Sequence, residues 1–151
     1  MITLPFGLKS KKIEVYDLIR VGDVITVDKG LELARFFKMQ YIVERLEKHP
    51  EKFNSFVFDG CSLIPDRLLY ICRGLKWKDV VYKACLLHDI QFGYGQIGNT
   101  KEEAMANAAF FNNLIDAGML PWLAHKFLAA VETGGAEEFG ASFSWGFANK
   151  G

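Results

Sequence analysis

The sequence predicts a mainly helical single domain, α+β at most. Three observations carry that prediction. Apolar residues recur at helical spacing in three late stretches, about 77–90, 101–117 and 121–133. Start and stop signals bracket two of them: Thr100 with Glu103, then Gly118, and Pro121, then Gly134-Gly135. Strand-like alternation is confined to short pieces near the N-terminus. At 151 residues the chain fits one domain, a size that buries roughly 68–70% of the unfolded surface.

Residues 1–11, with Pro5 and Gly7, read as an irregular arm. Lys12-Ile13-Glu14-Val15-Tyr16 alternates, and Val24-Ile25-Thr26-Val27 does so more loosely. Val21-Gly22-Asp23 would turn between them, giving a hairpin, with a helix over 12–20 as the competing reading. Leu31, Phe36, Phe37, Ile42, Val43 and Leu46 predict one helix over 29–48, stopped by Pro50. Its stripe is expected to cover the core of its own domain rather than a partner. Ser55 to Phe58 is an apolar, extended lead-in to a loop at Asp59. Residues 1–55 thus form an N-terminal extension, 56–134 the core and 135–151 an aromatic, Gly-rich tail.

Within the core, 65–73 reads as helical and ends near Gly74. Thr100 and Glu103 make a capping box, so a helix starts at Lys101 and runs to Ala117. Its stripe is Ala104, Asn107, Ala108, Phe111, Leu114 and Ile115. Asn107 lies inside that stripe, and a buried amide must find partners. A histidine on a neighbouring helix or a loop carbonyl would each serve. Pro121 opens the last helix, in the position that tolerates it best, and the helix ends near Thr133. Gly93-Tyr94-Gly95-Gln96-Ile97-Gly98 matches Gly-x-Gly-x-x-Gly, but a helix precedes it where a dinucleotide site needs a strand. Its glycines are better read as a turn between helices. Phe139, Phe143, Trp145 and Phe147 in the tail would pack on the core as an arm, or else line an acyl-chain groove.

The formal net charge is zero, which leaves no broad electrostatic case for nucleic acid. No run approaches 18 apolar residues, and no basic segment precedes an apolar one at the N-terminus. The expectation is a protein that is cytoplasmic at synthesis unless exported or truncated, and reduced cysteines there.

One stretch organises the chain: Ala84-Cys85-Leu86-Leu87-His88-Asp89. Val81, Ala84, Cys85 and His88 share a helical face, so a titratable imidazole sits on the apolar side. By itself that reads first as a core histidine satisfied by one hydrogen bond, with a solvated carboxylate beside it. Upstream lies Asp59-Gly60-Cys61-Ser62-Leu63-Ile64-Pro65-Asp66.

Together these stretches resemble the prokaryotic and fungal secreted phospholipase A2 family. The likeness runs through Asp59-Gly60-Cys61, Pro65-Asp66, Ala84-Cys85-Leu86-Leu87-His88-Asp89, Gly93-Tyr94, Asn107-Ala108-Ala109-Phe110 and Trp122 to Ala130-Val131. It covers about 59–134. The resemblance implies two antiparallel helices carrying His88 and Asn107, with His88 as general base. Calcium would be held by Asp59, the carbonyl of Gly60 and Asp89. Tyr94 would contact substrate, and Cys61 and Cys85 would form a disulfide. Cys72 has no counterpart in the family. The activity implied is hydrolysis of phospholipid carboxylic esters at a membrane surface. A weaker likeness is to an uncharacterised, often phage-linked domain family with an Asp-Gly-Ala-Ser-x-Pro loop and a His-Asp helix.

One position departs from the family. The residue that orients the imidazole is an Asp there and Asn107 here. An amide accepts the imidazole N–H but offers no charge to stabilise an imidazolium. Glu103, four residues earlier on the same face, is the nearest replacement in sequence. Two rival readings follow. One is a non-catalytic binding or phage-associated module on the same fold. The other is a His-Asp metal phosphohydrolase using His49, His88, Asp89 and Asp116, which would need a transition metal.

Overall fold

The computed structural model describes residues 15–61, 64–65, 67–68, 77–135 and 144–151. The expected N-terminal arm, most of the 12–16 strand, most of the 65–73 helix, Asp66, Cys72, Phe139 and Phe143 lie outside the described residues.

The described chain is mainly helical. Its elements in order are α1 (Val15–Leu18), β1 (Val24–Ile25), α2 (Val27–Phe36), α3 (Gln40–Lys48), a 3₁₀ turn (Pro50–Lys52), β2 (Phe56–Val57), α4 (Trp77–Gly93), α5 (Thr100–Asp116) and α6 (Pro121–Gly134). The strands pair antiparallel, Val24 with Val57 and Ile25 with Phe56. Among the described residues the partner of 24–25 is the lead-in to the Asp59 loop. Residues 15–18 are helical, as the competing reading had it.

The single helix expected over 29–48 is two helices. Thr26 caps α2, its hydroxyl accepting the Lys29 N–H at 3.1 Å. At the other end Lys38 adopts φ 59°. The Met39 N–H donates to Ala34 O at 2.8 Å and the Lys38 N–H to Arg35 O at 3.1 Å. These bonds are the Schellman pair that ends a helix. The position that usually holds glycine holds lysine, which is why the sequence carries no stop signal there. α5 ends the same way, with the expected Gly118 at φ 100° and Met119 N–H on Leu114 O at 3.0 Å. Its start differs from expectation: Asn99, not Thr100, is the cap, accepting the Glu102 N–H at 2.9 Å. The buried stripe of α5 is also turned, to Ala106, Asn107, Phe110 and Leu114. Ala104 and Ala108 are exposed.

α4 is the spine. Leu86, Ile90 and Tyr94 pack into a core built with Ile19, Ile25, Leu33, Ile42, Leu46 and Phe58 of the N-terminal part. Val81, Ala84 and Cys85 pack into a second core with Phe110, Leu114, Leu123, Phe127 and Val131. A helix apolar on both sides belongs in the middle of its domain. α5 returns along α4: His88 meets Asn107, and eight residues after His88 the Gln96 N–H reaches Glu102.

Residues 144–151 pack on the end of α4, and Trp145 and Phe147 are the tail aromatics among the described residues. The Gly146 N–H donates to Phe92 O at 2.7 Å and the Ala148 N–H to Gly93 O at 3.0 Å, satisfying carbonyls that the helix leaves open. The Trp145 indole donates to Gln96 O at 2.7 Å. A Cβ on Gly95 would lie 2.5 Å from the Trp145 ring, so the Gly-x-Gly-x-x-Gly segment is a packing turn. Arg45 ties the same turn to α3, reaching Glu102 with both guanidinium nitrogens at 2.8 Å and Tyr94 O at 2.8 Å.

Candidate functional site

His88 sits on α4 facing α5, one helical turn after Cys85. It is 2% exposed. Its ring lies 4.1 Å from that of Phe92 and 5.0 Å from that of Phe110, centroid to centroid. Its Nε2 is 2.8 Å from the Asn107 side-chain oxygen. Burial drives its pKa down to about 4, partly offset by the Asn107 bond. The ring is therefore neutral near pH 7. A neutral ring facing a carbonyl oxygen donates from Nε2, which leaves the lone pair on Nδ1. Burial and the Asn107 bond are the described influences on the His88 ring.

The loop that follows β2 reaches the same place. Gly60 takes φ 80°, a conformation that suits glycine, and a Cβ there would touch Val21 at 3.4 Å. The next residue, Cys61, is disulfide-bonded to Cys85, with Cα atoms 5.4 Å apart. The bridge fixes the loop against α4 just before His88. A cleft of about 10 Å³ opens between them, lined by Gly60, Cys61, Ile64, Cys85, His88, Asp89, Phe110 and Val131. That is room for about one water-sized sphere.

Asp89 is half-buried on the cleft, while Asp59 is exposed on the loop. The Asp89 carboxyl is held well above the usual carboxylate range, first by burial and then by the negative charge of Asp59. Gly60 and Asp89 both line this cleft, and the charge of Asp59 reaches Asp89. Among the described residues, no group of three His, Cys, Asp or Glu side chains gathers to hold a metal. His49, His88, Asp89 and Asp116 are accordingly not brought together; His49 instead faces Glu51, 3.6 Å away.

Tyr94 is not in the cleft. It is fully buried in the N-terminal core, edge-on to Phe53 and Phe56 at 5.4 and 5.7 Å. Its hydroxyl lies against Gly30 and has no partner among the described residues. Burial raises its pKa. A residue so enclosed does not reach a substrate at His88. The reading of the sequence also left out Phe92 and Phe110, which enclose the imidazole. The signal was present: Phe92 is four residues after His88 and Phe110 three after Asn107.

No family model matches the chain, and neither a curated protein nor a solved structure does.

Proposed function

We propose that this protein is a phospholipase A2-like hydrolase of phospholipid carboxylic esters, with His88 as general base and a turnover limited by Asn107. The observation that carries the reading is the His88–Asn107 bond of 2.8 Å beside a loop clamped by the Cys61–Cys85 bridge. Asn107 orients the ring and sets the tautomer, so Nδ1 holds the lone pair needed to take a proton from water. Phe92 and Phe110 keep bulk water from the ring. Asp59, Asp89 and the Gly60 carbonyl would hold a calcium ion. Bound there, the ion would supply positive charge to a substrate phosphate and to a developing oxyanion. The departure from a carboxylate orienter sets the pace. In the serine-protease comparison, Asp to Asn at the orienting position costs about 10⁴ in turnover.

The second reading, a binding module without catalysis, is favoured by the same amide and by the small cleft. The test is calcium titration by calorimetry alongside esterase assay on a short-chain phospholipid. Calcium binding with slow, His88-dependent hydrolysis supports the hydrolase. Calcium binding without hydrolysis supports the module. Loss of both overturns the assignment.

A further inference from the structure

His88 has a second support besides Asn107, and it leads to the C-terminal segment. Phe92 follows His88 by one helical turn on α4. The two ring centroids are 4.1 Å apart, with planes inclined by 31°. Trp145 packs against Phe92 in turn, at 5.0 Å and 88°. All three side chains are buried, and Ala106, the neighbour of Asn107 on α5, shares the small core of Phe92 and Trp145. Trp145 is itself tied at two more points. Its backbone N–H donates to Gly135 O at 2.9 Å, at the end of α6, and its indole N–H to Gln96 O at 2.7 Å, in the turn from α4 to α5. Gly95 leaves room for the indole where a Cβ would collide with it. The next residue, Gly146, donates to Phe92 O at 2.7 Å. One short segment thus holds both the ring and the backbone of Phe92.

The imidazole needs such a support. The terminal torsion of a histidine side chain is broad, so one hydrogen bond fixes one ring nitrogen and leaves the ring free to rock about it. An amide partner adds to that freedom. Its carbonyl accepts and its NH2 donates, so the two ends of Asn107 serve opposite imidazole tautomers, whereas an ionised carboxylate only accepts. Flat rings against the imidazole, Phe92 at 4.1 Å and Phe110 at 5.0 Å, restrict the rocking. Phe110 comes from α5, the helix that already carries Asn107. Phe92 is the contact that the C-terminal segment controls.

We infer that Phe92 is a positioning residue for the His88 ring and that Trp145 acts through it, so that the C-terminal segment keeps Nε2 on Asn107 and the lone pair on Nδ1. The inference rests on the hydrolase reading only for the use made of that lone pair. The orientation itself is measured with neither substrate nor cation present, so the two fail separately.

The experiment is nitrogen-15 NMR of the imidazole groups in the full chain at pH 7, where the His88 ring is neutral. Native His88 should show one tautomer, with the proton on Nε2 and slow to exchange with water. Phe92→Leu and Trp145→Leu should each give a mixture of tautomers and a proton that exchanges quickly. Trp145→Phe keeps an aromatic ring beside Phe92 and should restore the single tautomer. Gly95→Ala drives a methyl group into the indole and should act like Trp145→Leu, which keeps the test decisive should Trp145→Leu not fold. Ile42→Ala, in the N-terminal core, should lower Tm and leave the His88 signals unchanged. In the esterase assay the two Leu variants should lose up to about a hundredfold in kcat, with KM little changed. A native ring protonated on Nδ1 or already mixed would overturn the proposal. So would a single tautomer in both Leu variants, the same change in Ile42→Ala, or no rescue by Trp145→Phe. Mixed tautomers in the Leu variants of a protein without esterase activity would uphold the positioning and remove the hydrolase.

Discussion

His88 and Asn107 are joined by a 2.8 Å hydrogen bond between two buried side chains on adjacent helices. The bond orients a base but lends it no charge. Asn107→Asp should therefore raise esterase activity in calcium by at least tenfold, toward the ~10⁴ seen for the comparable serine-protease change. The gain should vanish in the His88→Ala and Asp89→Ala backgrounds. The pH–rate profile supplies an independent check. A general base works above its pKa, and His88 lies at about 4. The acidic limb of the native protein should therefore fall low, and Asn107→Asp should move it upward, because a carboxylate favours the imidazolium.

His88 also links pH to stability. Its pKa in the fold is about 4 against an ordinary 6.5. The unfolded chain thus binds the extra proton first, and stability falls as pH drops from 6.5 to 4. The full effect of such a shift is about 3 kcal/mol. Asp89 acts in the opposite sense: its raised carboxyl pKa adds stability at low pH, lost as pH rises through the folded value. Urea unfolding of the native protein and His88→Gln, compared at pH 4.5 and 7, isolates the histidine. The variant should lose less stability on acidification.

Calcium should stabilise the protein by relieving the repulsion between Asp59 and Asp89. At a hundredfold excess over Kd the gain is about 2.7 kcal/mol, read as a rise in Tm. Asp89→Asn should melt higher than the native protein in EDTA and gain nothing from calcium. A native melt that calcium leaves unmoved would remove the cation site from the proposal.

The Cys61–Cys85 bridge closes a segment with a sequence separation of 24. A loop of that size contributes about 3 kcal/mol in the chain-entropy picture. Unreduced protein should show one reactive thiol, Cys72. The Cys61→Ser, Cys85→Ser double variant should melt lower and bind calcium more weakly, because the Asp59–Gly60 loop is no longer held against α4.

Tyr94→Phe tests the reassignment of that residue. Its hydroxyl is buried without a partner among the described residues, and such a group costs about 1–3 kcal/mol. Removing it should raise stability by about 1 kcal/mol and leave hydrolysis unchanged. A drop in activity with stability intact would return Tyr94 to the substrate.

The local sequence determined much of this molecule by itself. The late helices, their proline start and the Gly118 stop follow from spacing and backbone preference. So does the placement of His88 and Asn107 on apolar faces. Those signals act within one or two turns, which is why they are legible. Tertiary packing decided the rest. Lys38 holds a left-handed conformation that lysine does not announce, and so splits one expected helix into two. The pairing of Val24 with Val57 joins segments more than thirty residues apart, which alternation cannot specify. The stripe of α5 is turned to Ala106 and Phe110, and Phe110 shares a core with Val81, Ala84 and Cys85 of α4. Tyr94 has the spacing of a site residue, yet two apolar faces on α4 send it into the N-terminal core while His88 goes to the other. A helix apolar all round does not say which of its faces will meet the chemistry; its neighbours decide that.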